Sequence, residues 1–145
     1  MIDDTKKTQD KIIEECSQYK DWFDKYDYLI KQGKTLQPMD ETLKTQENTI
    51  SGCQSQVWLI AEMNDKNIHF LADSDSILIK GIISLLLRVL NNNSPETILL
   101  TELYFINKIG LNTHLSPSRA NGLMSIIKQM KTFAHTLQLS QKNET

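Results

Sequence analysis

The spacing of apolar residues changes twice along the chain, from a helical rhythm to a strand-like one near Thr49 and back after Asp75. Ile12, Ile13 and Cys16 make a short apolar face over residues 8–20, predicting a first helix. Asp21 reads as the N-cap of a second, through Trp22, Phe23, Tyr26, Leu29 and Ile30, with Gly33 as the C′ residue past its end. Residues 33–47 hold Pro38 and many polar side chains, the composition of a loop. Ile50 then ends a short strand, and the β-forming run 57–61 predicts a second. Ile68, Phe70 and Ala72 alternate with His69, Leu71 and Asp73 in a third strand, antiparallel to the second across the turn-forming Asn64-Asp65-Lys66-Asn67.

After Asp75, Ile77, Leu78, Ile82, Ile83, Leu85, Leu86 and Val89 are apolar nearly all round, the mark of a buried central helix. Ser94-Pro95 opens another helix, with Ser94 as N-cap and Pro95 at the first helical position, and Gly110 ends it. Ser116-Pro117 repeats the signature before a last helix striped by Leu123, Ile126, Ile127, Met130, Phe133 and Leu137. A block of strands followed by a block of helices predicts an α+β fold: a three-stranded antiparallel sheet with helices packed on one face.

At 145 residues the chain is expected to form one domain over 1–145, with the first few residues and 140–145 frayed. A formal net charge of -2 and the lack of Lys/Arg clusters argue against nucleic acid and membrane surfaces as partners. The N-terminus shows no apolar signal segment, and the longest apolar run is short and carries Lys80 and Arg88, so a cytoplasmic protein is expected.

Two cysteines, Cys16 and Cys53, occur without CxxC spacing, which disfavours a structural disulfide or zinc site. Cys16 lies on the apolar face of the first helix and reads as structural. Cys53 sits between Gly52 and the polar pair Gln54-Ser55, where a strand opens, so it reads as a thiol carried on a bend. The alternative is a small buried hydrophobe. No neighbour in sequence supplies a base or cation to activate it. Three features are candidates to converge on it. Asp73-Ser74-Asp75 leads from the third strand into the central helix, where Asp75 suits a cap. Arg119 places a cation in the first turn of the last helix, against the dipole, and so calls for a partner: Asp73 or Asp75 within the chain, or another protein. Val57 and Trp58 either wall the thiol or belong to ordinary sheet core. His69 and His114 are placed to reach that end, without diagnostic spacing.

The segment Gly52-Cys53-Gln54-Ser55-Gln56-Val57-Trp58 closely resembles the active-cysteine motif of the SufE family. Tyr28-Leu29-Ile30-Lys31-Gln32-Gly33-Lys34-Thr35-Leu36, Asp73-Ser74-Asp75-Ser76 with Ile79-Lys80-Gly81, and His114-Leu115-Ser116-Pro117-Ser118-Arg119-Ala120-Asn121-Gly122-Leu123 are similar to three more of its blocks, in order. The likeness covers roughly residues 22–134. It implies a fold shared with IscU-type scaffolds, but a single cysteine where those hold a cluster with three. It also implies that Cys53 carries a persulfide taken from a pyridoxal-phosphate-dependent (SufS-like) cysteine desulfurase and passes it to a SufBCD-like scaffold. Gly52, Gln54, Ser55, Asp75, Arg119 and His114 would then form the loop and partner contacts. No cofactor or metal is called for, and the chain would act as carrier and desulfurase activator rather than as an enzyme on a metabolite. A one-cysteine thiol enzyme, of peroxidase or acyl-transfer type, and an inert interaction module are the alternatives.

Overall fold

A computed structural model of the chain describes residues 2–143. Helix α1 runs Ile2–Ser17 and α2 Trp22–Gly33, and the loop that follows is punctuated by 3₁₀ turns at Glu41–Leu43 and Gln46–Asn48. Strands β1 (Val57–Asn64) and β2 (Asn67–Ser74) form an antiparallel hairpin. Then come α3 (Ile77–Leu90), α4 (Pro95–Leu100), α5 (Phe105–Lys108), α6 (Leu111–His114) and α7 (Pro117–Asn143). The starts of α2, α3, α4 and α7 are capped by short oxygen-bearing side chains. Asp21, Ser76 and Ser94 accept from the third backbone N–H beyond them, and Ser116 accepts from Arg119 N–H at 3.3 Å.

The expected three-stranded sheet is a two-stranded one among the described residues. The segment before the cysteine makes a single bridge, Thr49 to Trp58, and Ile50 N–H donates to Val57 O at 2.8 Å. A 3₁₀ turn ends just before Thr49 and a tight turn begins just after Ile50, so too little chain is extended to make a strand. The predicted helix over 95–110 is also two short pieces, α4 and α5. Between them Gln9, fully buried on α1, donates to Glu102 O at 3.0 Å and accepts from Phe105 N–H at 3.2 Å, while the Lys131 ammonium donates to Leu99 O and Thr101 O. Backbone groups that a continuous helix would pair internally are taken by side chains from α1 and α7.

Gly33 closes α2 from within rather than standing past it, and its backbone is not left-handed. Its role is close approach. A Cβ there would sit 2.8 Å from Gly81 N, and one on Gly81 would run into the Leu29 carbonyl, so α2 and α3 touch backbone to backbone. Residues 140–143, where fraying is expected, continue α7, whereas 144 and 145 lie outside the described residues. At the other end α1 is helical from Ile2.

Val57, Leu59, Ile68, Phe70 and Ala72 turn one face of the hairpin into the core. There α3 supplies Leu78, Ile82, Ile83, Leu85, Leu86 and Leu90, and α7 adds Leu123, Ile126 and Met130. Each such side chain contributes roughly 1.5–3 kcal/mol by leaving water. The other sheet face is half-buried. Lys44 reaches over it, 5.1 Å above the Trp58 ring and 3.3 Å from the buried Asp73 carboxylate, which Lys80 also approaches at 3.6 Å.

Helix α1 is fastened by Glu15. Its carboxylate accepts from Arg88 of α3 through both oxygens, each at 2.9 Å, and from the Tyr28 hydroxyl at 2.8 Å. Hydrogen bonding from Arg88 holds the Glu15 carboxyl below its ordinary value and outweighs the opposing effect of burial. A carboxyl with a lowered folded-state pKa stabilises the fold above its unfolded value and loses that stabilisation as pH falls through the folded one. Glu15→Gln is therefore expected to lower the melting temperature at pH 7, with the gap to wild type closing below about pH 4. Thermal melts of both proteins across that range check it, and a gap independent of pH would contradict it.

Candidate functional site

Cys53 lies in the connection from Thr49 to β1, and the geometry on either side of it is unusual. Gly52 has φ +87°, a left-handed conformation that glycine adopts without strain, and its back rests on α7, where a Cβ would come within 2.8 Å of Ser125 Oγ. The loop's exit is held at Gln56. The Asp75 carboxylate accepts from Gln56 N–H at 3.0 Å, Asp75 N–H donates to Gln56 O at 3.2 Å, and the Ser74 hydroxyl donates to the same carbonyl at 2.8 Å. Between a glycine hinge and this clasp the thiol turns inward.

The Cys53 side chain is half-buried, and its Sγ–H faces the Gly122 carbonyl at 3.6 Å. Val57, Ile79 and Ile126 form apolar walls, and Gln54, Ser55, Ser118 and Arg119 lie toward the opening. The free space beside the sulfur is only about 10 Å³. Burial pushes the Cys53 thiol above its ordinary value, and no charged group counteracts it. At neutral pH the resting form is therefore the thiol. No histidine or carboxylate lines the cavity among the described residues.

Gln54, Ser55 and Arg119 line the cavity with Cys53, and Gly52 precedes it in the loop. Asp75 is close but does different work: Ser76 caps α3, and Asp75 pins the loop. Arg119 is exposed and forms no ion pair with Asp73 or Asp75; Asp73 is taken by Lys44 and Lys80. Val57 walls the thiol, whereas Trp58 turns to the opposite sheet face under Lys44. His114 is outside the cavity lining, its ring stacked on Trp22 at 4.5 Å and 11°. His69 sits at the edge of β2 beside Asn92. Cys16 is buried in the core, as read from its helix face.

A family model described as "SufE: Fe-S metabolism associated domain" matches residues 10–134. An uncharacterized SufE-like protein of Synechocystis sp. is 40% identical over 131 residues, which span 90% of this chain and 82% of that protein. One from Rhizobium meliloti is 36% identical over 130 residues, 86% of this chain and 93% of its own. The chain belongs to the SufE family. That membership implies a part in iron–sulfur metabolism and sulfur transfer. A SufE-like protein 1 of Arabidopsis thaliana, named chloroplastic/mitochondrial, is 39% identical over 122 residues, but the chain spans only 33% of its length. The fold matches a solution structure of a hypothetical protein from Thermus thermophilus with TM-score 0.72 over 89% of this chain and 94% of that one; identity is 16%. Among the described residues no helix is long and apolar enough to cross a membrane.

Two contacts of this SufE-family site were not singled out in the sequence: Gly122 and Ser125 on α7. Gly122 carried a signal, since a glycine inside a helix costs about 1 kcal/mol relative to alanine and calls for a packing reason. It faces the cysteine, and a Cβ there would meet Sγ at 3.6 Å. Ser125 carried no signal.

Removing the Asp75 clasp is expected to loosen the loop. A hydrogen bond to a charged acceptor is worth about 1.5–3 kcal/mol, so Asp75→Ala should speed alkylation of Cys53 by iodoacetamide roughly tenfold or more at fixed pH. In wild type the labelling rate should keep climbing beyond the pH at which a free thiol levels off, because the thiolate is the nucleophile. Peptide mass spectrometry of timed labelling reads both, and equal rates in wild type and variant would count against the clasp.

Proposed function

We propose that Cys53 is a sulfur acceptor. It takes sulfane sulfur from the persulfide of a pyridoxal-phosphate-dependent (SufS-like) cysteine desulfurase, stimulates that enzyme by clearing its product, and delivers the sulfur to a SufBCD-like assembly scaffold. The Cys53 thiolate attacks the terminal sulfur of the donor persulfide. A new S–S bond forms at Cys53 Sγ, the donor's S–S bond breaks, and the donor cysteine leaves as thiolate. The terminal sulfur keeps its proton or releases it to solvent, and no net oxidant is consumed.

The observation that carries this reading is the setting of Cys53: a thiol on a hinged loop, in a cavity whose lining holds no base. Such a thiol is a poor free-standing catalyst, because nothing in its resting site lowers its pKa. It suits a carrier whose activation comes from a partner's active site. The same lining holds no histidine or carboxylate to act as the base of a one-cysteine acyl-transfer enzyme, and Arg119, the cation that does line it, does not offset the effect of burial on the thiol. Membership of the SufE family supports the sulfur chemistry. Arg119, exposed, lining the cavity and without a carboxylate partner among the described residues, fits a contact on the desulfurase.

Cys53→Ser should abolish stimulation of a cognate desulfurase, measured as sulfide or alanine release, with the fold retained. Cys16→Ser should stimulate like wild type. Stimulation that survives Cys53→Ser would refute the acceptor reading. Arg119→Ala should weaken stimulation several-fold with little change in melting temperature, because no intramolecular ion pair is lost. A large drop in melting temperature would instead place Arg119 in the fold.

A further inference from the structure

The resting cavity suits the bare thiol and is ill suited to what the thiol becomes. Three observations bear on this, resting on the acceptor reading above. The first is space. About 10 Å³ is free beside Cys53, at the lower limit for a single water, and a second sulfur atom is larger than a water oxygen. The second is the seat. The loop lies on Gly122 and Ser125, one turn of α7: a Cβ on Gly52 would come within 2.8 Å of Ser125 Oγ, and one on Gly122 would meet Cys53 Sγ at 3.6 Å. A packed helix does not yield by the width of an atom, whereas a loop hinged at glycine does. The third is polarity. Sγ faces the carbonyl oxygen of Gly122 at 3.6 Å, an arrangement in which a thiol donates and an anion is repelled. A persulfide is a stronger acid than its thiol and is substantially ionised at neutral pH, so the apolar walls of Val57, Ile79 and Ile126 penalise it.

We infer that loading Cys53 with sulfur unlatches its loop: the closed seat on Gly122 and Ser125 holds the empty thiol and expels the persulfide. The chain thereby distinguishes its two states. Empty, it shelters the thiol; loaded, it loosens the clasp on Gln56 and presents the sulfur on an open loop that turns on Gly52. Its conformation reports whether there is sulfur to deliver.

The experiment is amide hydrogen exchange on the full chain in three forms: reduced, persulfidated at Cys53 with inorganic polysulfide, and converted there to the neutral S-methylthio form with methyl methanethiosulfonate. Peptide mass spectrometry confirms that Cys53, and not the buried Cys16, carries the added group. Exchange over 51–56, which includes the clasped Gln56 amide, should accelerate about tenfold or more on loading, while the core of α3 and α7 keeps its protection. Acceleration in both loaded forms assigns the release to bulk, and acceleration in the persulfide alone assigns it to charge; either supports the inference. Unchanged protection over 51–56 in both loaded forms overturns it, because the closed cavity then holds the extra sulfur. The polysulfide form needs no desulfurase, so this outcome is separable from failure of the acceptor role, which would show as no sulfur on Cys53 after incubation with desulfurase and cysteine.

Discussion

Three hydrogen bonds converge on one residue, Gln56, and the working end of the molecule depends on them. The Ser74 hydroxyl, Asp75 N–H and the Asp75 carboxylate grip its backbone from the junction of β2 and α3. That junction is among the most constrained places in the fold, where β2 delivers the chain to a helix buried on nearly every side. By clasping Gln56 there, the chain fixes where the cysteine loop ends. At the other end Gly52 takes the left-handed backbone conformation that glycine adopts without strain.

The frame is rigid for reasons remote from the thiol. The helices α2 and α3 meet at glycines, close enough that no side chain fits between them, and the Glu15–Arg88 ion pair ties α1 to the same helix. On the far sheet face Asp73 sits between Lys44 and Lys80, so its buried charge is compensated and the 3₁₀ segment is drawn over Trp58. Among the described residues Arg119 has no carboxylate partner, His114 stacks on Trp22, and His69 lies beside Asn92. The thiol thus stays protonated and apolar-walled at rest.

Legibility of the sequence varied with the range of the interaction. Helix starts at Asp21, Ser94 and Ser116 were readable because a cap is decided by a side chain and an N–H three residues away. The hairpin and the buried character of α3 were readable from periodicity. The third strand was not, since Thr49–Ile50 has strand composition but turns on both sides cut it to a bridge. Nor was the break-up of 95–110, where Gln9 and Lys131, distant in sequence, outcompete local helical bonding.

By itself the sequence determined the fold class, the two thiols and their contrast, and the run around Cys53 that carries the likeness to the SufE family. Those properties reside in neighbours along the chain: a glycine before a cysteine, a polar pair after it, an apolar face one turn away. Only the tertiary structure decided that Asp75 clasps the loop instead of capping a helix, and that Trp58 turns away from the sulfur. It alone showed that Gly122 and Ser125 make the seat, and that His114 belongs to Trp22. The physical reason is distance along the chain. The seat and the cysteine are joined by packing across some seventy positions (69 between Cys53 and Gly122), and no local preference encodes which helix turn a loop will meet.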